Sequence, residues 1–175
     1  TLTLLAKTYS KQNNYSLAQK NAVKAVELDR SNAAAQISYA KMLSQFEGVE
    51  KGISYLNYLI NQFSYSIELR QAMAEIYEEN QNYLESCNIW EQIKEADAKN
   101  KKAFLGLGTC YQGQALFDKS LRSYLQAVVA DPSDPEGKIK AGLLYLQTEK
   151  YDEAIKQFKG AFEINPRYPR VQYLI

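Results

Sequence analysis

Residues 149–166 read EKYDEAIKQFKGAFEINP. Tyr151, Ala154, Ile155, Phe158, Ala161 and Phe162 return every three or four residues, which puts them on one face of a helix. Asn165-Pro166 ends that helix, because the residue before a proline avoids helical geometry and proline has no N–H to donate. Just upstream, Ala141, Gly142 and Tyr145 keep the same spacing, and the short polar stretch 147–150 between the two runs fits a tight turn. The pattern predicts an antiparallel helix pair. Gly142 and Ala154 let the two backbones approach, and Tyr145, Tyr151 and Phe158 fill the space around that contact.

The same unit occurs four more times upstream, at steps of 34 residues. One large column is Tyr9, Leu43, Tyr77, Tyr111, Tyr145, and another is Ala22, Leu56, Trp90, Tyr124, Phe158. Two columns stay small: Ala6, Ala40, Ala74, Gly108, Gly142, and Ala18, Gly52, Ser86, Ser120, Ala154. The period runs from end to end without an insertion, which is the signature of a repeat array. It predicts repeats near 1–32, 33–66, 67–100, 101–134 and 135–168, and the start of a sixth at 169–175. The helices fall near 1–12, 15–29, 33–46, 50–63, 67–79, 83–97, 101–113, 117–130, 135–147 and 151–164. Asp131-Pro132 repeats the proline stop, and Ser133 or Asp134 then takes the N-cap before Pro135. Repeat two departs most: Val49 replaces an aromatic, and Gly48 and Gly52 predict a shorter, looser second helix.

This pattern resembles the tetratricopeptide repeat family. Repeat five carries the resemblance best, through Gly142, Tyr145, Tyr151, Ala154, Phe158, Ala161 and Pro166, and repeat four follows with Leu107, Gly108, Tyr111, Phe117, Tyr124, Ala127 and Pro132. The resemblance implies an all-α, right-handed superhelical solenoid whose first helices line a concave groove for a peptide or helix of a partner protein. Chaperone-binding members hold a two-carboxylate clamp of Lys and Asn, then Asn, then Lys and Arg. The matching slots hold Thr3, Lys7, Ser38, Glu68 and Ala72, or Ile37, Lys41, Ala72, Lys102 and Gly106, or Gln71, Glu75, Gly106, Glu136 and Lys140. None assembles the clamp, so heat-shock chaperone tails are not expected as ligands.

Composition narrows the function further. The 175 residues carry 21 basic and 20 acidic side chains and no histidine. A net charge of +1 lacks the surplus of Lys and Arg that nucleic-acid binding draws on, so no nucleic-acid partner is expected. Without histidine there is no His-based triad, general base or metal ligand. No stretch approaches the ~18 to 20 apolar residues of a membrane helix, so no membrane insertion is expected. Nothing resembles a signal peptide. Thr1 stands where a start methionine would, and the chain is expected to be a fragment, a processed form or a piece cut from something longer, a cut in which a targeting signal could have been lost. Cys87 and Cys110 fall on core faces, where free thiols behave as small apolar residues. With only two cysteines, a reducing compartment is the expectation, and the regular, proline-bounded repeats of the family resemblance imply a bacterial, cytoplasmic setting. Glu78 and Glu79 point about 100° apart on a helix and do not form a carboxylate pair. Gly106-Leu107-Gly108 lies inside a helix and lacks the rest of a dinucleotide fingerprint. No catalytic residue, metal or cofactor is expected, and the chain is not read as an enzyme.

The surfaces carry the expected function. On the groove face, the first repeats present Lys7, Lys11, Ile37 and Lys41; repeat three presents Glu68, Gln71, Glu75 and Glu78; repeats four and five present Leu105, Thr109, Ile139, Leu143 and Leu146. Residues 67–100 hold eight acids and three bases, net −5, whereas residues 1–32 hold five bases and two acids, net +3. The acids are expected to steer a partner, and the four apolar residues Leu105, Ile139, Leu143 and Leu146 to anchor it. Tyr55, Tyr58 and Ile89 mark a second patch on the outer, convex side. The primary expectation is a non-catalytic interaction scaffold. The alternatives are self-assembly through the open C-terminal end, where Val171, Tyr173, Leu174 and Ile175 are apolar, and service as the interaction part of a larger enzyme or signalling protein.

Overall fold

The computed structural model describes residues 1–62 and 67–167. Its elements are α1 (Leu2–Lys11), α2 (Tyr15–Leu28), α3 (Ala33–Glu47), α4 (Val49–Gln62), α5 (Ile67–Glu79), α6 (Tyr83–Ala96), α7 (Lys101–Gly113), α8 (Phe117–Ala130), α9 (Glu136–Gln147) and α10 (Tyr151–Ile164). The protein is all-α among the described residues, with helix bounds within one residue of the predicted ones. The start of the sixth repeat, 169–175, and Phe63 at the end of the fourth predicted helix lie outside the described residues. So does the apolar end expected to serve self-assembly.

The chain divides into two compact units, Thr1–Asn82 and Tyr83–Ile175. In the first, α1 packs on α2, α2 on α3, α3 on α4 and α4 on α5, while α3 also touches α1 and α5. In the second, each helix from α6 to α10 packs on the next.

The turns inside the repeats show why the 34-residue period survives without glycine. Asn13, Gln81, Ala115 and Glu149 all take the left-handed conformation, with φ of 54°, 62°, 58° and 60°. In each case the following N–H reaches back to the tyrosine of the first large column: Asn14 to Tyr9, Asn82 to Tyr77, Leu116 to Tyr111 and Lys150 to Tyr145, at 2.8–2.9 Å. This closure satisfies a carbonyl that the end of a helix leaves without a partner. Repeat two differs here, as its sequence suggested, and Gly48 makes the turn at φ 109°. Its second helix is neither short nor loose, however. α4 runs 14 residues, as long as α2, α6, α8 and α10. Gly52 is a contact residue: a Cβ there would lie 2.7 Å from the Ala40 carbonyl oxygen and from Ser44 Cβ.

Between repeats, a second column does local work. Asp29, Asp97, Asp131 and Asn165 each accept the N–H two residues on, from Ser31, Lys99, Ser133 and Arg167. These turns compete with helix continuation and stop it even where no proline follows. Ser133 turns back to Asp131, so Asp134 is the residue that accepts the Glu136 N–H, at 2.9 Å, at the start of α9.

The core follows most of the columns, but Tyr151, expected to fill the space around the Gly142–Ala154 contact, is 60% exposed. Ala18, Ala22, Ser86, Ser120, Tyr124, Ala154 and Phe158 are all fully buried. Tyr124 fits because residue 108 is glycine, where a Cβ would come within 2.2 Å of the ring. Its hydroxyl donates to Gln112 Oε1 at 2.9 Å, and Ser120 Oγ donates to the Gly108 carbonyl at 2.7 Å, so both buried hydroxyls are satisfied.

One expectation is overturned. Cys87 and Cys110 are not free thiols: they form a disulfide with a Cα–Cα separation of 5.6 Å. Both are buried, and the bond ties α6 to α7 beside Trp90, whose ring lies where a Cβ on Gly106 would have to go. Tyr83, Cys87 and Trp90 form one stripe of α6, and Gly106, Cys110 and Gly113 the matching stripe of α7. The sequence placed both cysteines on core faces, and it was the pairing of these two stripes that it did not reveal.

Candidate interaction surfaces

In the first unit, α1, α3 and α5 carry the predicted polar face. Lys41 Nζ on α3 lies 2.6 Å from Glu75 Oε2 and 3.3 Å from Glu79 Oε1 on α5. Burial opposes the Lys41 charge, but hydrogen bonds to and the field of Glu75 and Glu79 outweigh it and raise its pKa. The predicted sequence of basic, then acidic, surface is therefore partly neutralised from within, by residues one repeat apart. Lys7 and Lys11 are exposed, Ile37 is half-buried and Gln71 is buried. Glu68 is exposed and Glu78 half-buried. Gln45 links α3 to the end of α1 by donating to the Ser10 carbonyl at 2.9 Å and to Asn13 Oδ1 at 3.2 Å.

In the second unit, Leu105 belongs to the core, packed with Phe104, Tyr124, Ala127, Ala141 and Leu144. Thr109 is half-buried and its hydroxyl donates to the Leu105 carbonyl at 3.1 Å. Ile139 is half-buried, while Leu143 and Leu146 remain 41% and 36% exposed. Ile139, Leu143 and Leu146 follow i, i+4, i+7 spacing on α9, so they form one stripe of that helix. Beside it, Gln112 Nε2 on α7 donates to Gln147 Oε1 on α9 at 2.5 Å. Of the four predicted apolar anchors, Leu143 and Leu146 offer the most open surface and Leu105 the least.

The outer patch divides between the units. Tyr55 and Tyr58 belong to the first, where they join Tyr39, Val23 and Val26 around a cleft; Ile89 is half-buried on α6 in the second. The sequence singled out two of the cleft's tyrosines and missed its other wall. Val23 and Val26 follow Ala22 and Ala25, and at residue 22 the repeat has alanine where the other repeats have Leu56, Trp90, Tyr124 and Phe158, which is the sequence signal of an opening there.

Among the described residues, no group of three or more Cys, Asp or Glu is arranged to hold a metal ion. No described helix is long and apolar enough to cross a membrane.

Two tetratricopeptide repeat models match the chain, one over residues 105–169 and one over residues 1–32. The general transcriptional corepressor ssn6 of Schizosaccharomyces pombe is 23% identical over 172 residues, which is 97% of this chain and 16% of that protein. The chain thus spans less than a fifth of that relative's length. Among solved structures, a thermophilic tetratricopeptide protein of Thermus thermophilus superimposes with a TM-score of 0.77 at 16% identity, covering 98% of this chain and 94% of that one. YrrB, described as a tetratricopeptide protein with an unusual peptide-binding site, gives a TM-score of 0.64 at 18% identity, covering 96% and 87%.

Proposed function

The chain belongs to the tetratricopeptide repeat family, and on that premise we propose that it is a non-catalytic scaffold that docks a segment of a partner protein on the faces of its first helices. The observation that supports this most directly is the open stripe of Ile139, Leu143 and Leu146 on α9. Aligned apolar side chains left in water favour contact, and desolvated apolar anchors usually dominate affinity while exposed charges contribute little. The face of α1, α3 and α5 supplies the polar counterpart. There Lys7 and Lys11 are the open cations, since Lys41 is already paired with Glu75 and Glu79. A partner segment with an apolar ridge, such as an amphipathic helix, suits the α9 stripe of the second unit, while on the first unit, taken by itself, Lys7 and Lys11 suit an acidic segment.

The test is selection of peptides from a random displayed library on the immobilised chain. Enriched peptides that bind saturably in solution, and bind less well to Leu143→Asp, support the proposal. A library that yields no saturable binder overturns it.

A further inference from the structure

Between α2, α3 and α4 the first unit carries a cleft of about 370 Å³, lined by residues other than those assigned to docking on the first-helix faces. That volume falls within the ordinary range for a ligand site. α3 supplies the floor through Gln36 and Tyr39, and α2 and α4 supply the walls through Val23, Val26, Tyr55, Tyr58 and Leu59. Tyr39 and Tyr55 meet edge to face, with centroids 5.1 Å apart and planes at 80°. Tyr58, 58% exposed, stands free at the edge as a third ring.

We propose that this cleft is a second peptide site and that it takes an extended, proline-bearing segment followed by an acidic flank. The proposal rests on the chain being a peptide-binding scaffold, and adds a separate site with its own ligand chemistry.

The distribution of hydrogen-bonding groups carries the choice of ligand. At the base, Tyr55 donates its hydroxyl to Gln36 Oε1, and Gln36 Nε2 donates to the Arg30 carbonyl at 2.7 Å, so these polar groups are spent on one another. At the rim, the Tyr58 hydroxyl, the Gln62 amide and the Arg30 guanidinium have no partner among the described residues. The cleft therefore offers rings and unused donors. A helix has little use for such donors, because its own carbonyls are already bonded. A polyproline II segment has unpaired carbonyls along its length and, at each proline, no N–H that needs an acceptor. Its rings pack against aromatic walls, the arrangement by which aromatic-lined grooves hold proline-rich peptides.

Charge sets the flank. A neighbouring shallow hollow shares Val23 and Glu27 with the cleft and adds Lys20 and Lys24. Lys20, Lys24 and Arg30 stand against Glu27, three cations to one anion, and none of the four has an ion-pair partner among the described residues. An acidic flank complements that surface and fixes the direction of the segment, acting mainly on the association rate.

The probe is a fluorescein-labelled peptide of five prolines followed by three aspartates, titrated into the whole chain by anisotropy. Saturable binding is expected, weakened about tenfold or more by Tyr58→Ala. Arg30→Glu should weaken it in a salt-dependent way. Tyr58 is more than half exposed, so its removal leaves the fold intact, as an unchanged circular dichroism melt will verify. Tyr58→Phe separates the lost donor from the lost ring. No binding up to ~1 mM probe overturns the proposal. So does binding indifferent to Tyr58→Ala and Arg30→Glu, or equal binding of a peptide with alanines in place of the prolines. Loss of the probe in Leu143→Asp instead would move it to α9, and the cleft would fall while the scaffold function stood. If library-selected peptides bind and this probe does not, the cleft alone falls; if neither binds, both do.

Discussion

Removing the Cys87–Cys110 bond should destabilise the second unit while leaving its folded arrangement in place. The two cysteines are 23 residues apart. Holding the ends of such a loop together in the unfolded chain removes conformational entropy worth about 3 kcal/mol at room temperature. The folded side changes little. Both sulfurs are buried, the Trp90 ring still fills the space above Gly106, and Ile93 stays fully buried next to it. A Cys87→Ala/Cys110→Ala double variant should therefore lose about 3 kcal/mol, which for a unit of this size is a fall in melting temperature on the order of 15 °C. The chain's single tryptophan makes the assay local, because Trp90 lies in this unit beside the bond. Urea titration followed by Trp90 fluorescence, with the oxidised chain, the chain under dithiothreitol and the double variant, separates the bond from the residues. The reduced chain and the variant should shift together. A loss under ~1 kcal/mol in both would refute the argument, since loop-closure entropy cannot be that small for this separation unless the unfolded chain is already ordered there.

Gly108→Ala should destabilise the chain by ~1–3 kcal/mol in the same titration despite the better helix propensity of alanine, because the added methyl meets the ring of fully buried Tyr124. Burial, and then the hydrogen bond from its hydroxyl to Glu91 at 2.9 Å, push Tyr111 up to about 12. The unfolded chain ionises this group first, so stability should be level below pH ~10 and fall between pH ~10 and about 12, read from tyrosinate absorbance beside the melting curve. Tyr111→Phe should remove that component, and a decline of unchanged size would refute it. Lys41→Met should cost only ~0–1 kcal/mol, less as salt rises, because its partners Glu75 and Glu79 are 44% and 62% exposed, so water screens the pairs. A loss well above that range would mean that Lys41 holds α3 to α5.

The repeat was legible because its columns are packing columns. Ala18 and Ser120, or Trp90 and Phe158, sit in equivalent places and are buried alike, so a period of 34 in the sequence became a period in the core. The turns were legible only as punctuation. A left-handed Ala115 or Glu149 leaves no mark in composition, whereas the glycine at residue 48 does. The disulfide was hidden for a different reason. Two cysteines on adjacent helices show that each faces a core, but the registry of α6 against α7 depends on rings seated over Gly106 and Gly113. The surfaces were the least legible, because exposure depends on neighbours distant in sequence. Leu105 and Leu143 looked alike as apolar residues, yet one joins the cluster around Tyr124 and the other stays open. Lys41 and Glu75 looked like parts of opposite patches, and the 34-residue offset between them is what brings them together.

The bond between Cys87 and Cys110 also bears on where the protein works, since such bonds persist mainly in oxidising compartments. Rapid alkylation of cells followed by mass spectrometry of the peptide pair reads its state directly. A disulfide-linked pair is expected, and two alkylated thiols would favour the reducing, cytoplasmic setting expected from the sequence.

Docking through the apolar stripe of α9 is tested most directly by the dissociation rate of a library-selected peptide from the parent chain and from Leu143→Asp, measured side by side on a biosensor. Dissociation is expected to be about tenfold faster or more from the variant, with association nearly unchanged, because a desolvated anchor acts mainly on the off-rate. Equal dissociation from both proteins, with the variant folded as the parent, would contradict it.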